Sequence, residues 1–354
     1  MPLPFKSPPE NLCILRLSAV GDVCHTLAVV RTLQSHWPHT KLTWIIGKLE
    51  ASLVGDIPGI EFIIFDKSKG WSAYSQLQKE LRGRRFDALL HMQMSIRASI
   101  ASLFIKSDIK LGFDKVRAKD FQWLFTNHTI VFKPRQHVLE SLFEFAEALG
   151  VEERLLLWDI PVSEADCQIV DQLLPTTSPL LAISPCSSMN YRNWHVEGYA
   201  AVADYAIEKY GLRVVLTGGP SKIEQEYGER ICVKAKHELV NLIGKTTLKQ
   251  LLVVLKRSVG LVSPDSGPAH MATAVNTPVI GLYACTNPDR ARPFLSTDYT
   301  IDKYHEAVRA KYGRDAVDMP WGIRVRDPGT MNRITIKEVK EKLDKLMRTI
   351  KVNG

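Results

Sequence analysis

The sequence predicts an α/β protein built from two doubly wound, parallel-sheet domains, and three observations carry that prediction. Short apolar runs alternate with helical repeats along the chain, the order that builds parallel sheets from β-α-β units. The alternation starts twice, each time from an apolar strand that ends in a polar loop before a helix. A length of 354 residues also favours two cores over one.

Composition narrows the class. Hydrophobic residues make up 45% and charged residues 24%, as in an ordinary soluble globular protein. A formal charge of +8 and a pI near 9.1 point to anionic partners: nucleic acid, nucleotides or membrane lipid. The six cysteines form no C-x-x-C pair, so neither a zinc site nor a disulfide framework is expected, and a reducing cytoplasm fits. The first 17 residues lack a signal-peptide core. The longest stretch free of Asp, Glu, Lys and Arg, 266–288, carries three prolines and reads against a membrane span.

In the first half, residues 12–17 read as a buried strand and 23–37 as a helix, with Leu27, Val30, Leu33 and Trp37 at helical spacing. Asp22 falls where the two meet. It is either a helix cap or a general base at a strand's carboxyl end. The loop lacks G-x-G-x-x-G, which argues against a dinucleotide. Further strands are expected at 41–46, 61–65 and 86–91, the last followed by Gln93 and Arg97. From Arg97 to His137, eight Lys or Arg face three Asp, an excess that is either a solvated face or a grip for an anionic ligand. A helix over 137–149 completes the half.

Residues 159–179 read as the connection between domains. A new first strand at 180–184 leads into Ser187, Ser188 and Arg192, then a helix over 196–210; two hydroxyls and a guanidinium there suit a diphosphate. The strand 213–217 ends at Gly218 and Gly219, and Glu224 lies in the next helix, either at its surface or within reach of a ribose hydroxyl. After a strand at 239–243 and a helix at 248–255, the stretch VGLVSPDSGPAHMATAVNTPVIGLYACT over 259–286 gives strand, turn, helix and strand. Its turn crowds Asp265, Ser266, Gly267 and His270 at a carboxyl strand end, beside a helix start at Pro268. Residues 299–331 are irregular and mixed in charge, suiting a mobile flap. The stripe Ile336, Val339, Leu343, Leu346 and Ile350 marks a final amphipathic packing helix over 335–350.

Six pieces, in this order, are distinctive: LRLSAVGDVCHT at 15–26, QMSIR at 93–97, SSMNYRNW at 187–194, GGPS at 218–221, NLIGKTTL at 241–248 and SPDSGPAH at 263–270. Together they resemble the bacterial family 9 glycosyltransferases, the ADP-heptose:lipopolysaccharide heptosyltransferases of the heptosyltransferase I type, over nearly the whole length. The resemblance implies a GT-B fold: an acceptor domain over 1–165, a nucleotide-sugar domain over 179–334, a cleft between them, and a last helix, 335–354, returning to the first domain. It implies inverting, metal-independent transfer with ADP-heptose as co-substrate and no cofactor. Asp22 matches the general base. Ser187, Ser188 and Arg192 match diphosphate contacts, and Asp265, Ser266, Gly267 and His270 match the donor site, joined by Gly218, Gly219 and Glu224. The acceptor, an anionic Kdo-lipid A glycolipid at the inner face of a Gram-negative inner membrane, is expected to draw on His25, Gln93, Arg97, Lys115, Arg117, Lys119 and His137. The segment MPWGIRVR at 319–326 has no place in the family pattern.

Three rivals are weaker. A nicotinamide dehydrogenase lacks its glycine fingerprint. A nucleic-acid binder rests on charge alone. A solute-binding protein needs export, and no signal peptide is legible.

Overall fold

Two buried apolar runs become the centres of two parallel sheets. The computed structural model describes residues 3–175 and 178–353; residues 176–177, within the expected interdomain connection, lie outside the described residues. The chain divides into two units, Met1–Pro161 and Val162–Gly354.

In the first unit, β1 (Asn11–Leu15), β2 (Lys41–Gly47), β3 (Ile60–Phe65), β4 (Phe86–His91), β5 (Ser107–Gly112) and β6 (His128–Thr129) pair in parallel in the order β3-β2-β1-β4-β5-β6. Helices α1 (Val20–His36), α2 (Lys48–Val54), α3 (Trp71–Glu80), α4 (Ile96–Ser102) and α5 (Val138–Leu149) make the connections. Leu12, Cys13, Ile14 and Leu15 are fully buried, so β1 is a continuous apolar run with strands on both sides. The strand order reverses at the β1–β4 pair, where Leu15 lies level with His91. Strands β5 and β6 went unread in the sequence: Asp108 and Lys110 interrupt the pattern, and Ile109 and Leu111 alone supply its buried apolar face. The unit's tail folds back on α1, where the Trp158 indole donates to the Cys24 carbonyl at 2.8 Å.

The second unit begins with α6 (Glu164–Leu173). Strands β7 (Leu180–Ile183), β8 (Arg213–Leu216), β9 (Val240–Asn241), β10 (Ser258–Pro264), β11 (Val279–Tyr283) and β12 (Ile301–Asp302) pair in parallel in the order β12-β11-β10-β7-β8-β9. Helices α7 (Val196–Tyr210), α8 (Lys222–Lys234), α9 (Leu248–Arg257), α10 (Gly267–Ala274), α11 (Pro288–Ala291), α12 (Tyr304–Tyr312) and α13 (Ile336–Asn353) complete it. Here the order reverses at the β7–β10 pair. Ligands bind beyond the carboxyl ends of such switch-point strands.

Three expectations are corrected. Helix α6 is not part of a free connection: it packs on α9, with an ion pair of 2.5 Å between Arg257 and Asp171, so the boundary falls after Pro161. Helix α13 belongs to the second unit and not to the first: Val339, Leu343 and Leu346 are buried in the second unit's core, against α7, β11 and β12. Asp344 secures it by accepting from Tyr205 at 2.9 Å and Tyr210 at 2.7 Å. Residues 299–331 are not a flap either. Tyr304, Ala307, Val308, Ala316 and Val325 form a small core of their own, and the Tyr304 hydroxyl donates to the Ile323 carbonyl at 3.0 Å. Among the described residues, no helix is long and apolar enough to cross a membrane.

Candidate active site

The first unit's switch point presents Asp22. Helix α1 starts at Val20, three residues earlier than its periodicity suggests, so Asp22 lies inside the first turn, with Ala19 at the cap position. The Ala19 N–H reaches the Asp22 carboxylate only at 3.4 Å, a long contact. Its strong partner is Arg16, whose Nη2 lies 2.5 Å from Asp22 Oδ2. Arg16 is 8% exposed and also donates to the Met92 carbonyl, so its guanidinium is fixed while Asp22, with a side chain 39% exposed, keeps a face toward solvent. Asp22 thus combines the third position of α1 with an ion pair to a buried cation and a face open to solvent.

The loop carrying this pair is braced from two strand ends. From β4, the Gln93 amide oxygen accepts from the Leu17 and Ser18 N–H groups at 2.6 and 3.2 Å. From β2, the Trp44 indole donates to the Arg16 carbonyl at 3.1 Å, and the Gly47 N–H to the Leu17 carbonyl at 2.9 Å. A Cβ on Gly47 would stand 2.3 Å from that carbonyl oxygen, so this approach requires glycine. Behind the pair, burial raises the Glu50 carboxyl on α2, while Lys67 and Arg16 draw it down.

The expected acceptor residues separate into two groups. His25 and His137 come together, their rings 5.6 Å apart edge to face, next to Asp22's helix turn. Arg97, Lys115 and Lys119 are exposed. Gln93 and Arg117 have partners within the first unit itself. Gln93 is engaged with the loop. Arg117 turns inward to Asp114, to Gln136 at 2.8 Å and to Glu144 at 2.7 Å, and with Lys133 at 3.6 Å it balances the Glu144 carboxylate, whose side chain is 2% exposed. Arg117→Met is therefore expected to destabilise the protein by about 1–3 kcal/mol, with Glu144→Leu in the same chain recovering most of it. Urea unfolding midpoints check this, and a loss under about 1 kcal/mol contradicts the inward role.

Sequence reasoning missed Arg16 and Gln122. A lone Arg inside the apolar run was the signal for the first. Gln122 is fully buried, and its amide donates to the His91 carbonyl at 2.7 Å. Burial pushes the neighbouring His91 imidazole down to about 3, so it is a neutral structural group.

In the second unit, Arg192 and Asp265 meet across the β7–β10 switch point. Arg192 Nη1 lies 3.1 Å from Asp265 Oδ2 and 3.3 Å from its carbonyl oxygen. Two buried polar atoms here, Arg192 Nε and the Tyr191 hydroxyl, have no hydrogen-bond partner among the described residues. Helix α10 starts beside them with no side-chain cap: the Ser266 hydroxyl instead contacts Ser263 Oγ at 2.7 Å. An uncapped helix start next to a guanidinium is chemically suited to an anion. The Ser187 N–H donates to Asn193 Oδ1 at 2.8 Å, which shapes the β7 loop, and Ser188 is exposed. Burial pushes the Cys186 thiol up to about 12, so it is no nucleophile. His270 lies buried on α10.

Glu224 braces its own loop. It accepts from the Gly219 N–H at 3.0 Å and the Ser221 hydroxyl at 2.7 Å, closing the turn of Gly218 and Gly219. The unplaced segment supplies a further cation: Arg326 lies 5.9 Å from the Tyr191 ring, with Arg192 at 5.7 Å from the same ring.

A family model described as glycosyltransferase family 9 (heptosyltransferase) matches residues 74–315, a span that holds Arg192 and Asp265 but not Asp22. The lipopolysaccharide core heptosyltransferase OpsX of Haemophilus influenzae is 42% identical over 346 residues, 98% of this chain and 99% of that protein. A family 9 glycosyltransferase from Veillonella parvula superposes with a TM-score of 0.78 at 20% identity, covering 96% of this chain and 97% of that one. The E. coli ADP-heptose lps heptosyltransferase II does so with 0.73 at 21%, covering 97% and 99%. The two structures share the two-sheet GT-B fold expected from the sequence.

Proposed function

The chain belongs to glycosyltransferase family 9, and from that premise we propose that it moves a heptose from ADP-heptose to the Kdo-bearing inner core of lipopolysaccharide. The 42% identity to OpsX over nearly all of both chains carries this reading. The transfer is a single displacement that inverts the anomeric centre and needs no metal. Asp22 takes the proton of an acceptor hydroxyl, whose oxygen then attacks the anomeric carbon. The bond to ADP breaks, and Arg192 with the start of α10 meets the charge developing on the diphosphate. Arg97, Lys115 and Lys119 attract the anionic acceptor, and the enzyme works at the inner face of a Gram-negative inner membrane.

Incubation with ADP-heptose and Kdo-lipid A acceptors tests the reading. An acceptor heavier by one heptose, one ADP per product, an inverted anomeric configuration and full rate in EDTA are expected. Transfer only from another nucleotide sugar, or only to an acceptor already carrying heptose, replaces the donor or acceptor assignment.

Within this mechanism Arg16 is a positioning residue. Arg16→Met is expected to lower kcat about 10- to 100-fold, the worth of one charged hydrogen bond, while the donor KM stays unchanged. Arg16→Lys restores part of the rate, and Arg16→Met adds little in an Asp22→Asn background. Full additivity of the two substitutions contradicts the coupling.

A further inference from the structure

The segment between β5 and α5 carries a run of exposed apolar side chains. Val116, Phe121, Trp123, Leu124, Val131 and Phe132 range from 43% exposed for Trp123 to 74% for Val116. Scattered exposed apolar residues are normal, but six within 17 positions are not scattered. The loop is ordered from beneath. Gln122, fully buried, accepts from the Phe113 N–H at 3.2 Å and anchors the turn, while Asp120 and Phe121 take left-handed conformations with φ of 52° and 57°. A bulky residue in that region is uncommon, and here it turns the Phe121 ring outward. Arg117 ties the other arm by donating to the Val131 carbonyl at 2.7 Å.

Cations accompany the apolar groups. Lys115, Lys119 and Arg135 are exposed in the same loop, and Lys115 Nζ lies 5.8 Å from the centre of the Trp123 ring. Aromatic rings flanked by cations match the boundary of an anionic bilayer, where rings enter the headgroup layer and ammonium groups stay at phosphate level.

Place matters as much as composition. All six strands of the sheet are parallel, so this loop leaves β5 on the same edge that carries Asp22. Gln122 links the two directly: its amide donates to the His91 carbonyl and, at 3.4 Å, to that of Gln93, whose side chain holds the Asp22 loop.

We propose that residues 115–135 dock the enzyme on an anionic phospholipid surface, setting the first unit's catalytic edge against the membrane. This deepens the membrane-facing part of the proposed function, and it rests on that reading only for the purpose of the docking.

The test is co-sedimentation of the full-length protein with phosphatidylglycerol-containing vesicles and with neutral phosphatidylcholine vesicles, in the absence of acceptor. Retention on the anionic vesicles is expected to fall about tenfold or more in Phe121→Ser/Leu124→Ser/Val131→Ser. It should fall about fivefold in Lys115→Gln, and it should weaken with salt. The triple variant should transfer to a delipidated, water-soluble core acceptor at the wild-type rate. Equal retention of wild type and triple variant, equal retention on neutral vesicles, or no retention at all overturns the proposal. So does a solution dimer that the triple variant dissolves without change in vesicle binding, which assigns the patch to a second copy. Vesicle retention without transfer to any acceptor leaves the surface standing and removes the proposed function.

Discussion

Asp22→Asn is expected to transfer sugar about 10²- to 10⁴-fold more slowly than the wild type, the usual contribution of a general base. The substitution keeps size and an oxygen that can accept from Arg16, now 2.5 Å from the carboxylate. It removes the charge and basicity that draw off the acceptor proton. Arg16 keeps an anion nearby in Glu50, so the fold is expected to survive, as unfolding midpoints of the two proteins can show. Initial rates of ADP release at saturating donor and acceptor measure the effect. A variant at the wild-type rate removes Asp22 from the chemistry and returns it to the first turn of α1 as a structural group.

Arg192→Ala is expected to lose about 10²- to 10³-fold in kcat/KM for the donor, the scale of removing one preorganised donor from a developing oxyanion. Its effect has two sources. The guanidinium that meets the diphosphate is gone, and the Asp265 carboxylate, 3.1 Å away in the wild type, is left without its cation beside an anionic ligand. Arg192→Lys keeps the charge but cannot reach both the carboxylate and the carbonyl of Asp265 with one planar group, so an intermediate value is expected. Steady-state kinetics with varied ADP-heptose separate the cases, and an unchanged kcat/KM in Arg192→Ala sets the anion site elsewhere.

The polar loops at both switch points were legible because β1, β7 and β10 are buried apolar runs whose ends are marked by sudden polarity. Asp22, Arg192 and Asp265 stand at those ends, and the structure joins Arg192 to Asp265 as one contact. Direction was not legible. Gln93, Arg117 and Glu224 lie in or beside the same loops and look like ligand groups, yet each turns back to satisfy the loop's own N–H groups or a buried carboxylate. A loop near a site must solve its own hydrogen bonding before it can serve a ligand, and sequence does not separate the two uses.

Fold-level errors have the same kind of origin. The stripe on α13 announced a packing face but not the surface it meets, which is the second unit's own core. Residues 299–331 looked irregular because their helix is short and their core rests on five residues spread over 304–325. Strands β5 and β6 escaped because Asp108 and Lys110 break the apolar pattern of β5, and β6, at the sheet edge, is only two residues long.

Under the proposed function, one transfer reaction depends on a base in the first unit and a donor grip in the second. Titrating ADP-heptose into wild type, Asp22→Asn and Arg192→Ala, then adding acceptor to the same samples, tests it most directly. Asp22→Asn is expected to bind donor as the wild type does and to fail to transfer, whereas Arg192→Ala is expected to bind weakly and transfer poorly. Wild-type transfer by Asp22→Asn, or loss of donor binding in Asp22→Asn equal to that in Arg192→Ala, contradicts it.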